Sequence, residues 1–254
     1  MMTPKFLLDN ISTIRVNDNT QFKIQRPYYT FTQYSVIEDI LNKCPNGEIN
    51  RGIVTDFFKR GEHVHGFFAA MIWGGISTGG PTGNNLSLLL SVEPEILQKH
   101  IAVVGEYVKH NKFSGAYHYM NGAGKLKGLG DSFFTKLFFF LGNANEQEII
   151  PPIFDKWTKL AYAALLADSE DDKIFHRYIS SVKGVDVRFR TAYQGDAYND
   201  YVVKMNCWAK NCGVSVSDLE QFIFGCNRKQ DPSASNPRMI FEKKVNEFML
   251  TAVS

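Results

Sequence analysis

The sequence predicts an all-α protein, a multi-helix fold preceded by a short irregular or β segment. Three observations predict it. From Tyr34 onward, apolar residues recur at helical spacing. Polar, glycine- or proline-bearing loops separate these runs. No internal repeat with a period of about 20 to 50 residues is visible, which argues against a solenoid. The expected organisation is an N-terminal segment over 1–33 and a helical domain over 34–254.

Residues 1–33 mix short apolar stretches with Asn and Thr, and Gln21-Phe22-Lys23-Ile24-Gln25 alternates as an edge strand does. Val36, Ile37, Ile40 and Leu41 then form one helical stripe, and Leu97, Ile101, Val104 and Val108 recur at steps of four, three and four. Helices are expected over 51–59, 64–73, 113–122, 131–141, 155–167, 197–211, 218–224 and 239–251. Ser217-x-x-Glu220 reads as a capping box opening the helix at 218. Two polar loops interrupt the pattern. Gly74 to Asn85 carries five glycines and a proline, and Asn227 to Pro237 is rich in Ser, Asn, Asp and Pro.

With 254 residues, 44% of them hydrophobic, the chain has the apolar material for a full core. No apolar run reaches the roughly 18 residues of a spanning helix, and Met1 to Asn10 lacks the layout of a secretory leader. A soluble, cytoplasmic monomer with no membrane partner is expected. The net charge of +2 is far from histone-like, so any polyanion must be held by a local patch. Cys44, Cys207, Cys212 and Cys226 contain no C-x-x-C pair and lack the spacing of an iron-sulfur or zinc module. On a helix, the side chains of His63 and His65 diverge by roughly 200°, which disfavours a shared metal. No metal or cofactor is expected.

Three features carry chemistry. Gly128-Leu129-Gly130 lies between Lys125-Leu126-Lys127 and the helix from Asp131, which leaves helix N-terminal amides free to hold a phosphate without reading sequence. A plain hairpin whose glycines relieve φ strain is the competing account. Within Phe133-Phe134-Thr135-Lys136-Leu137-Phe138-Phe139-Phe140, Lys136 is the lone cation, flanked on its face by Phe133 and Phe140. Burial among rings disfavours an ammonium and favours the neutral amine of Schiff-base chemistry, unless the lysine snorkels to solvent. Asp155 follows a rigid diproline and stands at the N-cap of the next helix. There it either caps or serves as a fixed anion that stabilises a cation or activates a nucleophile.

In order, L-K-G-L-G, F-F-T-K-L-F-F-F and P-I-F-D-K-W resemble the helix-hairpin-helix DNA glycosylases. There a glycine hairpin precedes a catalytic lysine, and an aspartate starts the following helix. The chain is most similar to the bacterial branch described as having an 8-oxoguanine glycosylase fold. Asn50-Arg51-Gly52-Ile53-Val54 and Ala70-Met71-Ile72-Trp73-Gly74 resemble its early helices. Tyr198, Tyr201, Met205, Trp208-Ala209 and Leu219-Glu220-x-x-Ile223-Phe224 resemble its closing ones, so the likeness runs from about Ile49 to Gly225. The chain departs from the eukaryotic-type enzymes in one respect: they place the lysine two residues after the second glycine, where Ser132 stands here. Lys136 lies one helical turn later on the same face. The missing cysteine cluster excludes the iron-sulfur members.

The resemblance implies a helix-hairpin-helix glycosylase-like fold with a cleft between two helical lobes, the hairpin occupying 113–142. It implies double-stranded DNA as partner and excision of a flipped base by cleavage of its N-glycosidic bond. Asp155 and Lys136 would be catalytic, while Gly128, Gly130, Lys125 and Lys127 would hold the backbone. Trp73, Phe140 and Trp157 would line the base pocket. Tyr28, Tyr29, Trp73 and Trp157 could stack on a base or sugar, but core packing is the expected role of each. The base would be an oxidised purine or a hypermodified phage base such as glucosylated hydroxymethylcytosine. A non-catalytic DNA-binding hairpin module is the alternative.

Overall fold

A computed structural model of the chain describes residues 2–14, 16, 20–169, 172–227 and 229–251. It is mostly helical. The N-terminal part contains α1 (Lys5–Asp9), β1 (Phe22–Lys23), α2 (Ser35–Asn42), β2 (Glu48–Ile49), α3 (Arg51–Lys59) and α4 (His63–Trp73). The middle holds α5 (Asn85–Leu90), α6 (Pro94–Lys109), α7 (Phe113–Asn121), α8 (Asp131–Ala144) and α9 (Lys156–Asp168). After α10 (Asp172–Tyr178) come strands β3 (Ile179–Lys183) and β4 (Asp186–Phe189). Helices α11 (Gln194–Cys212), α12 (Val216–Phe224) and α13 (Pro237–Thr251) follow. Two compact units result: Asn19–Pro151, and Met1–Asp18 together with Pro152–Ser254.

In the 19–151 unit, α8 is the central helix. Phe134 through Gly142 are all buried, so the helix is apolar on every side, and α3, α4, α6 and α7 surround it. The α6 stripe behaves as its spacing predicts, with Leu97, Ile101, Val104 and Val108 all buried. On α2, Ile37 and Ile40 are buried while Val36 and Leu41 are half-buried. The alternation at 21–25 yields a strand of two residues, Phe22 opposite Ile49 and Lys23 opposite Glu48. Asn50 caps α3 by accepting from the Ile53 amide at 2.9 Å.

In the other unit α9 plays the same part, with Leu160 through Leu166 buried and α13, α12, α10 and β4 packed around it. The Phe6 amide of α1 donates to Asp168 at 2.8 Å, and Phe6 meets Phe241 of α13 edge-on at 4.9 Å. Strands β3 and β4 form an antiparallel hairpin with Val182 opposite Val187, turning through Gly184. Sequence reasoning assigned nothing there. Most of the strand residues are exposed, so the pairing leaves little hydrophobic period to read.

One cap is corrected. The helix at 218–224 starts at Val216, and Ser215, not Ser217, accepts from the Asp218 amide at 3.0 Å. Both serines precede an acid by three positions. Glu220 is only 2% exposed and therefore belongs to the buried side of α12.

Candidate active site

The segment between α7 and α8 is anchored by Leu126 and Leu129, which are buried, while Lys125 and Lys127 stay exposed. Gly128 has a φ of +84°, and a β-carbon there would come within 2.9 Å of Asn85 Oδ1, so both backbone and space demand glycine. Gly130 caps α8, and its carbonyl accepts from the amides of Phe133 and Phe134 at 2.9 and 3.0 Å. A β-carbon at Gly130 would meet open space. Among the described residues, no acceptor faces the amides of Gly128 and Gly130. The first acid of α8, Asp131, accepts from the Tyr117 hydroxyl at 2.9 Å. Burial, then the charge of Asp131, pushes that phenol well above its ordinary range.

Lys136 is 6% exposed. Its ammonium turns back along α8 to donate to the Ser132 carbonyl and sits 5.0 Å from the Phe133 ring centre. The amine is thus delivered to the first turn of α8. Gly74, just after α4, makes room for it: a β-carbon there would fall 2.6 Å from Lys136 Cε and 2.7 Å from Cδ.

Trp73, preceding Gly74, packs edge-on against Phe140 with centroids 5.4 Å apart. Arg51 lies over both Trp73 and Phe139, at 5.3 and 4.8 Å. Phe140 itself is fully buried and also stacks on Phe58, so it backs Trp73 from the core. Lys136, Trp73 and Phe140 are therefore neighbours within one unit. Tyr28 is a core brace whose hydroxyl donates to the Ile76 carbonyl at 2.7 Å, and burial pushes its pKa up to about 12. Tyr29 is exposed.

Asp155 belongs to the other unit, at the start of its central helix. Its Oδ1 accepts from the amides of Trp157 (2.9 Å) and Thr158 (3.1 Å), and the Thr158 hydroxyl accepts in return from the Asp155 amide at 2.9 Å. This is a complete capping box. Among the described residues, Oδ2 carries no partner. The approach to Asp155 is clamped. The hydroxyls of Tyr198 and Tyr201 donate to the carbonyls of Pro152 and Ile153 at 3.2 and 3.1 Å, and Thr158 also donates to Ile153. The Phe154 ring lies 4.9 Å from that of Tyr201. Burial first, then Glu220 and Asp155, drives the Tyr201 phenol well above its ordinary range, so it remains a donor.

Two residues that sequence reasoning missed flank these groups. Besides Arg51, there is Arg238 of α13, which is buried, lies 4.2 Å from the Trp157 ring centre and donates through Nε to the Phe224 carbonyl at 2.8 Å. An arginine sandwiched between rings leaves no trace in periodicity; only its placement beside apolar neighbours hints at it. His63 and His65 face different rings, Phe58 and Phe57, as their divergence on a helix requires. Among the described residues no group of His, Cys, Asp or Glu could hold a metal ion, and no helix is long and apolar enough to cross a membrane.

A family model described as "Putative 8-oxoguanine DNA glycosylase OGG-like protein" matches residues 28–224. No curated protein and no solved structure matches the chain.

Proposed function

The chain belongs to the 8-oxoguanine DNA glycosylase OGG-like family, and from that premise we propose that it removes a damaged or modified base from double-stranded DNA. The amides of Gly128 and Gly130, with Lys125 and Lys127, hold the backbone beside the target nucleotide. The base is everted and its N-glycosidic bond breaks, with positive charge developing on the sugar. Asp155 stabilises that charge through Oδ2. The Lys136 amine attacks C1′, the base leaves with the bonding pair and takes up a proton, and the amine sheds a proton as the sugar ring opens to an imine. Water in place of the amine gives an abasic site directly.

The observation that carries this reading is the division of labour at Asp155: one oxygen satisfies the helix, and the other is left for chemistry. Two substrate classes fit the same machinery, an oxidised purine and a bulky phage base such as glucosylated hydroxymethylcytosine. The reading is tested on a panel of duplexes containing each, with released bases identified by mass spectrometry and a parallel borohydride treatment. Base release with a trapped protein–DNA adduct supports both catalytic residues. Release without an adduct removes Lys136 as nucleophile. DNA binding with no release on any duplex leaves only a non-catalytic hairpin module.

A further inference from the structure

The phosphate contacts proposed at Gly128, Gly130, Lys125 and Lys127 all belong to the 19–151 unit. The unit that carries Asp155 has a cationic surface of its own, on the β3–β4 hairpin. Across Ile179 to Arg190 three cations, Lys183, Arg188 and Arg190, stand against one acid, Asp186. Cross-strand pairing sets Ser181 opposite Arg188, Val182 opposite Val187 and Lys183 opposite Asp186. Side chains alternate along a strand, so Ser181, Lys183, Asp186 and Arg188 share one face and the two valines the other. The valine face is half-buried, and the Phe189 ring lies 5.2 Å from that of Phe154 and stacks on Tyr162. The polar face is exposed, as is Arg190 just beyond it.

The hairpin engages both chain neighbours of Asp155. Phe189 packs on Phe154, and Asp186 accepts from the Lys156 ammonium at 2.7 Å. Lys156 first, and after it Arg188 and Lys183, hold the Asp186 carboxyl below its ordinary range, so three cations converge on that one acid. Glu242 of α13 lies against the turn, where a β-carbon on Gly184 would stand 3.7 Å from its Oε1. Charges on an exposed ribbon also guard it against pairing with another chain, but that purpose does not require an excess of one sign. Resting on the glycosylase reading, we infer that the exposed face of β3 and β4 is a second phosphate-binding surface, on which Lys183 and Arg188 hold the backbone of the duplex whose target nucleotide lies at Asp155. Both side chains suit phosphate oxygens by charge and by their several donors, and neither needs to read a base. The contact acts in binding and leaves bond cleavage to other groups.

The test uses the full chain and a duplex with a tetrahydrofuran abasic analogue, titrated at salt concentrations from about 50 to 200 mM. The variant Lys183→Gln/Arg188→Gln removes both charges and keeps the side-chain length. Its slope of log K against log salt should be shallower than that of wild type by about 1.8, the effect of two lost phosphate contacts. Lys183→Arg/Arg188→Lys, which keeps both charges, should keep the slope. Lys5→Gln/Lys210→Gln removes two exposed charges elsewhere on the same unit and should leave the slope unchanged. On 8-oxoguanine duplex and on glucosylated phage DNA, base release by Lys183→Gln/Arg188→Gln at saturating protein should match wild type, as expected for a contact made equally in the ground and transition states. An unchanged slope, or an equal fall in the Lys5 and Lys210 control, overturns the inference, and the glycosylase reading stands wherever wild type releases a base. A slope that falls for the hairpin pair alone, with no base released by wild type, keeps the DNA contact and removes the enzyme. Wild type that binds no duplex removes both.

Discussion

Asp155 offers the cleanest separation of structure from chemistry, because asparagine caps a helix as well as aspartate does. Asp155→Asn should therefore keep thermal stability within about 0.5 kcal/mol of wild type and lower single-turnover base release by about 10²–10³-fold, the scale of one lost electrostatic stabiliser. Lys136→Met keeps the buried stem and removes the amine. It should fold normally by circular dichroism and give no borohydride-trapped adduct. Gly74→Ala tests the placement of that amine, since the added carbon would collide with Cδ and Cε of Lys136. The φ at Gly74 is ordinary, so the cost lies in displacing the buried Lys136 stem and crowding the Ala70 carbonyl at 3.1 Å. Stability should fall by about 1–3 kcal/mol, and adduct formation should fall more steeply than in a control destabilised equally elsewhere. Tyr28 brings a pH signature. Its folded pKa of about 12 exceeds the ordinary 10.0, so the folded state binds the proton more tightly. The stabilisation is full below about pH 10 and is lost as pH rises toward 12. Tyr28→Phe should flatten that part of the stability curve in alkaline denaturation.

The hairpin between α7 and α8 is where individual elements can be told apart. Alanine at Gly128 meets both a left-handed backbone and Asn85, and should destabilise by about 1–2 kcal/mol or more; alanine at Gly130 should not. Replacing Lys125 and Lys127 together should reduce the slope of log K against log salt for duplex binding by about 1.8, the effect of two lost phosphate contacts. An unchanged slope would remove them from the DNA contact. Element boundaries were legible where caps and apolar stripes agree. Arg51–Lys59 appears as its residues predict, and α6 buries its whole predicted stripe. Legibility failed where polar contacts or pairing decide. Ser215 and Ser217 compete for one cap, and β3 and β4 are held by cross-strand bonds with little burial. The helical N-terminal stretches at Lys5–Asp9 and Arg26–Phe31 are too short to show a period.

At the scale of the molecule, each unit is built around one helix buried on all sides, α8 in one and α9 in the other. Each of the two groups proposed for catalysis sits at the start of such a helix, Lys136 by turning back to Ser132 and Asp155 by capping. Both stand out in the sequence for their surroundings, a lone lysine in a run of phenylalanines and an acid after a diproline. Arg51, Arg238, Tyr198 and Tyr201, which fix their surroundings, were not assigned those roles, because side-chain hydrogen bonds and ring stacking across distant segments have no local pattern. The central claim, that this chain cleaves a glycosidic bond using the Asp155 carboxylate, is tested most directly by single-turnover base release. Wild type and Asp155→Asn would be compared at protein concentrations that saturate duplex binding, on 8-oxoguanine duplex and on glucosylated phage DNA. The account predicts that wild type frees a base from at least one of these substrates and that the variant, equally bound and equally stable, is slower by about 10²-fold or more. Equal release by both proteins, or bound DNA from which wild type frees no base, would contradict it.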